Sequence, residues 1–334
     1  MSLEKKEAVE NNFKIENLSQ SFFALGDLYI ERKDIDALKF FKAGDLICED
    51  QLHKILNAKY SHFRYELLFH PEYVNEGIEL WRLFKDAEDE EMRQALRMRL
   101  LTWYKKSIWD GSEITSLLDI IYTHEKVFLR FDRAFLEDYW NTSTMLFRRS
   151  ILLSSLMIPL SLAAGYNDFK YLSDVWHTTF LIDCSFDLKN FSYYISKACE
   201  LDRSNITDDK IHLVDSEKKI YLEHPKSSFE KASILCSKYL YDKNVLELIL
   251  NHHEKVNGYG WPNKVSEDNI SEVENILLSL NQVLSYDEKD YLIDDARSYL
   301  KKIVEIQIPN ENLPLKRLRM LLQSVFEVEE AINP

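Results

Sequence analysis

Residues 252–262 read His252-His253-Glu254-Lys255-Val256-Asn257-Gly258-Tyr259-Gly260-Trp261-Pro262, and this stretch decides the fold class. Two adjacent imidazoles and a carboxylate stand at a predicted helix end, and a loop with two glycines and a proline follows. The chain has only seven glycines, so two of them two positions apart indicate a bend that side chains must not obstruct. The plain interpretation is a helix C-terminus followed by an ordinary turn. Residues at matching distances upstream favour a functional site instead.

The composition is that of a globular, helix-rich protein. Hydrophobic residues make up 46% of the chain and charged residues 29%, while seven Gly and seven Pro are few for 334 residues. This length is sufficient for two domains and a sizeable core. The formal net charge of −14 argues against a nucleic-acid polymer or an anionic membrane surface as partner, because phosphate groups would be repelled.

The sequence predicts a soluble, cytoplasmic protein. The four cysteines are widely spaced and form no CxxC pair, a pattern typical of free thiols in a reducing compartment. The first residues lack the apolar segment of a secretory signal. The most apolar run, residues 151–164, has 14 residues. It is too short to span a membrane and predicts a buried core helix.

Four regions are predicted along the chain: a flexible N-terminus (1–20), a small α+β module (21–70), a helical connector (71–139) and a helical domain (140–334). Strands are predicted at 27–32, 37–42 and 61–66, with a helix at 48–58. Helices are predicted at 78–87, 90–107, 116–122, 127–139, 148–164, 169–180, 215–221, 228–239, 244–251, 271–284, 288–306 and 315–331. The polar residues 200–210 indicate a loop. The connector's arginine stripe is a candidate homodimer contact.

The stretch 252–262, with His224-Pro225 upstream of it, resembles the signature of the HD-GYP family of cyclic-di-GMP phosphodiesterases. That family is an all-helical variant of the HD phosphohydrolase fold and uses two or three iron or manganese ions to activate water. The resemblance covers about residues 140–330. The loop positions that match are His252, His253, Glu254, Gly258, Gly260 and Pro262. Asn257 and Trp261 replace the aspartate and tyrosine of the pattern. The expected fold is therefore mainly α, an all-helical HD-GYP-like domain preceded by a small α+β module.

Other positions depart from the family pattern. Where the resemblance implies ligands or site residues, the sequence has Arg149 for a metal-binding histidine, Ile182 for the histidine before Asp183, Phe186 for a lysine, and an amide, nearest at Gln282, for a late aspartate. A multinuclear centre needs several anionic and imidazole donors. We therefore expect the multinuclear centre and hydrolysis to be lost, no catalytic residue to remain, and Arg149 to pair with Asp183.

The resemblance implies four remaining ligand candidates, Asp183, His224, His252 and His253, with Glu254 as an orienting partner. We expect a metal-free hydrogen-bonded cluster. The alternative is a single Fe, Mn or Zn ion in a three-histidine, one-carboxylate site.

Three functions are compatible with these residues. The leading hypothesis is a catalytically inactive HD-GYP-like signalling protein that binds a protein partner or cyclic-di-GMP without hydrolysis. The first alternative is a weak metal-dependent cyclic-di-GMP phosphodiesterase that uses a residual site of Asp183, His224, His252 and His253. The second is a dimeric scaffold with no small ligand.

Overall fold

The strands predicted near the N-terminus form one antiparallel sheet of order β2-β1-β3. The computed structural model describes residues 21–32, 35–57, 63–67, 70–109, 117–187, 191–203, 213–255, 258–265, 269–284 and 286. The elements of the module are β1 (Gly26–Arg32), β2 (Ile35–Phe41), α1 (Glu49–Asn57) and β3 (Phe63–Leu67). All four were predicted to within a few residues. Strand and helix bury a small core of their own, formed by Ala24, Leu28, Phe41, Ile47, Leu52 and Ile55.

The α+β module is docked on the helices that follow. Arg148 pairs with Asp45 at 2.5 Å, and Arg133 donates to the Ile47 carbonyl at 2.7 Å. The ring of Phe23 lies 6.0 Å from that of Phe147 and belongs to the main core. Polar and apolar contacts therefore tie the module to the helical part. The predicted division into module, connector and domain stays a prediction.

Ten further α-helices follow within the described residues, so the protein is mainly α as predicted. They are α2 (Pro71–Asp86), α3 (Glu90–Trp109), α4 (Leu117–Val127), α5 (Arg133–Thr142), α6 (Thr144–Ala163), α7 (Phe169–Phe180), α8 (Tyr193–Arg203), α9 (Asp215–Leu235), α10 (Glu247–Asn251) and α11 (Glu272–Val283). A 3-10 turn, Lys243–Leu246, leads into α10. The predicted N-terminal region 1–20 and the helices at 288–306 and 315–331 lie outside the described residues.

Several helix predictions were wrong in position. The helix predicted at 127–139 is divided, because Val127 ends α4 and the Asp132 side chain caps α5 by accepting from Phe135 N at 2.8 Å. Helix α8 was not predicted, and it extends into the polar stretch taken for a loop; its buried residues Ile195 and Cys199 are one helical turn apart. Helix α9 continues through Pro225, where two helices were predicted.

Helix α6 lies at the centre of the core and carries Arg149. By length and composition it could cross a membrane, but 94% of its most apolar window is buried inside the protein. Burial of this kind is typical of the core helix of a soluble protein. The cytoplasmic location stays a prediction.

Candidate metal centre

Three histidines from two elements converge on one point. His224 lies on α9, and His252 and His253 follow the end of α10. The Nε2 atom of His224 lies 3.1 Å from the Nε2 atoms of both His252 and His253. The candidate ligand atoms of the three residues lie within 4.8 Å of one another, and all three side chains are buried. The structure thus brings together three of the four predicted ligands.

The orientation of His224 follows from the proline beside it. Pro225 has no backbone N–H, so the carbonyl of Tyr221, four residues earlier in α9, has no helical partner at that position. The Nδ1 atom of His224 donates to this carbonyl at 2.6 Å. A carbonyl can only accept, so the proton lies on Nδ1. The Nε2 atom of a neutral His224 therefore presents a lone pair to the cluster.

The other two imidazoles are oriented in the same sense. His252 Nδ1 donates at 2.6 Å to the carbonyl of Ile249, near the end of α10, where helix carbonyls lack intrahelical partners. His253 Nδ1 donates at 2.8 Å to the Asp202 carboxylate. The indole of Trp261 stacks on His253 with ring centroids 4.3 Å apart and an interplanar angle of 13°. All three Nε2 atoms therefore face the centre of the cluster.

Asp183 joins the cluster through one oxygen. Its Oδ1 atom lies 3.5 Å from His224 Nε2 and 3.7 Å from His252 Nε2. Among the described residues Oδ1 has no hydrogen-bond partner although it is fully buried. Oδ2 accepts from Arg149 Nη1 and from the Tyr286 hydroxyl, each at 3.2 Å. The two oxygens of Asp183 thus face two different environments.

The turn that carries Asp183 is fastened to α9. Ser185 N donates to the hydroxyl of Ser228 at 3.2 Å, and Ser185 Oγ donates to the carbonyl of His224 at 3.2 Å. Lys231 donates to the Cys184 carbonyl at 2.8 Å. These contacts fix the position of Asp183 relative to His224. The sequence motifs pointed to neither Ser228 nor Lys231.

Arg149 is a buried cation with its hydrogen bonds directed into the protein. It is fully buried and pairs with Asp183, as the sequence predicted. Its Nη2 donates to the side-chain oxygen of Asn281 and its Nε to the Leu284 carbonyl at 3.4 Å. The guanidinium lies 3.9 Å from the centroid of the Tyr286 ring, a cation–π distance.

The amide at this site is Asn281, one residue before the predicted Gln282. Asn281 accepts from Arg149, and its Nδ2 donates to the His252 carbonyl at 2.8 Å. It therefore connects the arginine to the histidines. Helical phase alone did not distinguish between the two adjacent amides of α11.

Apolar rings enclose the cluster. Phe186 is buried and stacks on His224 with centroids 4.6 Å apart, and Phe191 packs on Phe186 at 5.0 Å. Ile182 is fully buried. With Trp261 on His253, these side chains leave the four ligand candidates at most 4% exposed. The site is closed and offers these ligands little contact with water.

The loop after the histidines is held by Glu254, which is buried and faces the loop. Its Oε1 accepts from the backbone of Asn263 at 2.6 Å and Lys264 at 3.1 Å, and its Oε2 from Val265 at 2.9 Å. The loop contains a cis bond between Trp261 and Pro262. Glu254 is thus an organising partner of the loop.

Glycine is required at the two loop positions for different reasons. Gly258 has φ +75°, the left-handed region that other residues rarely adopt. A Cβ on Gly260 would lie 2.2 Å from Lys255 N and 2.4 Å from Glu254 Cα. Only glycine permits that approach, which brings Trp261 over His253. Asn257 lies outside the described residues.

Burial controls the charge of the cluster. It lowers the pKa of His252 well below its ordinary value, assisted by His253 and His224, and it also lowers the pKa of His253. Burial alone would raise the pKa of Asp183, but the charge of the buried Arg149 holds that pKa well below its usual range. His252 and His253 are thus neutral at neutral pH, and the Asp183 carboxylate is ionised. Three nitrogen donors and one oxygen donor fit a single zinc, iron or manganese ion.

Comparison with known proteins places part of the chain in a domain family. Residues 204–283 match the family model of the HD domain. No curated protein matches the chain. Among solved structures the chain is similar to Bd1817, a HDG"Y"P protein from Bdellovibrio bacteriovorus, with 14% identity and a TM-score of 0.38 over 90% of this chain and 95% of that chain. The HD match contains His224, His252 and His253, so residues 204–283 are similar to an HD domain.

Proposed function

We propose that this chain is a non-hydrolytic HD-GYP-like protein that acts by binding a protein partner, and that its histidine cluster holds one structural metal ion. One observation carries the proposal. The carboxylate of Asp183 lies between the imidazoles and the buried guanidinium of Arg149, with one oxygen toward each. A single cation site therefore remains on the histidine side, while a fixed organic cation occupies the other side.

Arg149 is incompatible with a second metal ion beside it. Two unit charges at 4 Å repel by about 4 kcal/mol at an effective dielectric of 20, and a divalent ion doubles that cost. The guanidinium cannot lose its proton to relieve this repulsion. Its own partners, Asp183 and Asn281, are the groups that a further ion would need. Phe186 and Trp261 cover the rings of His224 and His253, so a phosphodiester that approached from that side would have to displace them.

A single ion on the histidine side relieves an otherwise unfavourable arrangement. All three Nδ1 atoms donate outward, so the neutral form of each imidazole directs its lone pair inward, and His224 Nε2 lies 3.1 Å from the Nε2 atoms of His252 and His253. Asp183 Oδ1 is also buried with no hydrogen-bond donor among the described residues, and such groups are costly. An ion held by these four atoms would satisfy all of them and would join the Asp183 turn, α9 and the 252–262 loop. The sequence favoured a metal-free cluster, but the outward direction of Nδ1 favours the single ion.

Elemental analysis of the purified full-length protein tests the metal proposal. We expect about one transition-metal ion per chain, lost in His252→Ala and kept in His53→Ala, a substitution at an exposed histidine of α1. A metal-free wild type would contradict it. The cluster would then be explained by a proton on His224 Nε2, donated to both neighbouring histidines.

Activity and ligand binding are tested on the same preparation. Incubation with cyclic-di-GMP and added iron or manganese should give no linear product, and calorimetry should detect no cyclic-di-GMP binding. A second candidate function is a weak phosphodiesterase, because the same three-nitrogen, one-oxygen donor set could also hold a catalytic ion. Metal-dependent cleavage that disappears in His252→Ala would establish that candidate and overturn the non-hydrolytic proposal. Binding without cleavage would make cyclic-di-GMP the partner in place of a protein.

A further inference from the structure

Asp202, near the end of α8, lies between two donors. Its Oδ2 accepts from His253 Nδ1 at 2.8 Å, and its Oδ1 accepts from Lys255 Nζ at 2.9 Å. The carboxylate is 20% exposed, at the edge of the closed site. The sequence pattern assigned its segment to a polar loop and indicated no role for it. The structure instead places it one hydrogen bond from a candidate ligand.

The contact decides which nitrogen of His253 carries the proton. A neutral imidazole has one N–H, and a carboxylate can only accept, so Asp202 keeps that proton on Nδ1. The lone pair then lies on Nε2, which faces His224 Nε2 at 3.1 Å. Trp261 stacks on the face of the ring, so it fixes the ring plane but not the tautomer.

His253 differs in this respect from the other two histidines. His224 and His252 donate to the main-chain carbonyls of Tyr221 and Ile249, which stay in place when the side chains of those two residues are changed. His253 donates to a side chain carried by a different helix. We propose that Asp202 is a positioning residue that selects the Nδ1–H tautomer of His253 and so makes its Nε2 available to a metal ion, an inference that rests on the proposed metal site.

Asp202→Asn is the informative substitution because an amide has one accepting and one donating end. His253 and Lys255 present donors to this side chain, and the Tyr221 hydroxyl is a third hydrogen-bonding neighbour. When the amide oxygen accepts from Lys255, the amide NH₂ faces His253 Nδ1 and favours the Nε2–H tautomer. The new N–H then points at His224 and blocks the metal. We expect cobalt affinity, followed by the absorption of Co²⁺ in titrations, to fall about 10–100-fold.

A second substitution separates this role from a merely structural one. In Asp202→Asn/Lys255→Met the ammonium is gone, so the amide oxygen is free to turn to His253 Nδ1. The double variant should regain cobalt affinity to within a few-fold of wild type, and Lys255→Met alone should also stay within a few-fold. A purely structural Asp202 predicts the reverse, because the double variant removes more contacts. Absence of rescue would overturn the proposal.

The tautomer itself is measurable without any metal. In metal-free protein with ¹⁵N-labelled histidine, nitrogen chemical shifts distinguish Nδ1–H from Nε2–H, and His253→Gln assigns the signal. We expect His253 to be Nδ1–H in wild type and Nε2–H in Asp202→Asn. A His253 that keeps its Nδ1 proton in Asp202→Asn, or lacks it in wild type, overturns the proposal. If the tautomer switches as expected but wild type binds no cobalt, the role of Asp202 stands and the proposed metal site fails.

Discussion

The two oxygens of the buried Asp183 carboxylate face two different environments. On the histidine side, Oδ1 lies near imidazole nitrogens and has no donor among the described residues. On the arginine side, Oδ2 is paired with Arg149, whose remaining donors reach Asn281 and the Leu284 carbonyl. The first side has unused donor atoms, and the second has a cation already in place. The comparison shows that one buried carboxylate can pair with a guanidinium through one oxygen while its other oxygen faces imidazoles.

Removal of the guanidinium of Arg149 is expected to have the largest effect on stability. Arg149→Ala leaves Asp183 Oδ2 buried with only the Tyr286 hydroxyl described as donor, and it leaves a cavity. We expect the free energy of unfolding to fall by about 3–5 kcal/mol, measured by urea denaturation. Arg82→Ala, which removes an exposed pair with Glu79 on α2, is the control and should change stability little. An equal effect at the two positions would show that Arg149 has no special role.

The loop beside the histidine side is expected to depend on Glu254. Glu254→Gln replaces one accepting oxygen with a donor, so at least one of the backbone N–H groups of Asn263, Lys264 and Val265 loses its acceptor. The expected cost is about 2 kcal/mol. Hydrogen exchange should become faster at residues 263–265 and remain unchanged in β1. Unchanged exchange at 263–265 would contradict the assigned role of Glu254.

Two buried histidines outside the cluster, His124 and His177, are expected to make the stability of the protein depend on pH. Burial lowers the pKa of His124 to about 3 and that of His177 to about 4, so both are neutral in the folded protein. The unfolded chain takes up their protons near the ordinary value of about 6.5, so their contribution to stability is present above that pH and is lost below it. We expect a loss of about 1.4 kcal/mol per pH unit for each group as the pH falls from 6.5 toward 4.

Urea denaturation at several pH values measures this slope. In His124→Gln the slope should decrease by the equivalent of one proton, because glutamine does not titrate. A slope that is the same in wild type and variant would exclude His124 as a source of the acid sensitivity. Tyr104, which contacts His124 Nε2 at 2.5 Å, keeps a possible acceptor in the glutamine.

The smallest expected effect on stability is at Pro225. Pro225→Ala supplies a backbone N–H to the Tyr221 carbonyl, which now accepts from His224 Nδ1. The helix gains one hydrogen bond, so stability should change by less than about 1 kcal/mol. Cobalt affinity should fall about 10-fold, because His224 loses its orienting partner. Full affinity with unchanged stability would show that the proline does not orient His224.

The sequence by itself determined the helical class, the α+β module and the family of the loop. These follow from local patterns: alternation in β1 and β2, helical spacing in α7, and the glycines and proline of residues 252–262. The positions that the resemblance implies, together with the charges, also predicted that Arg149 pairs with Asp183, and the two residues are in contact at 3.2 Å. Motif spacing was sufficient for His224, His252 and His253, because the resemblance already relates those positions in space.

Only the tertiary structure decided which oxygen of Asp183 faces which cation, that Asn281 and not Gln282 connects the two sides, and that Asp202 orients His253. The sequence did not indicate a role for Asp202, because its segment is polar and its partner His253 is 51 residues away. The direction of a side chain at a site depends on contacts between elements that are distant in sequence. A local sequence pattern contains no information about those contacts. The metal proposal rests on those directions, because the same three histidines with Nε2 protonated would bind no ion.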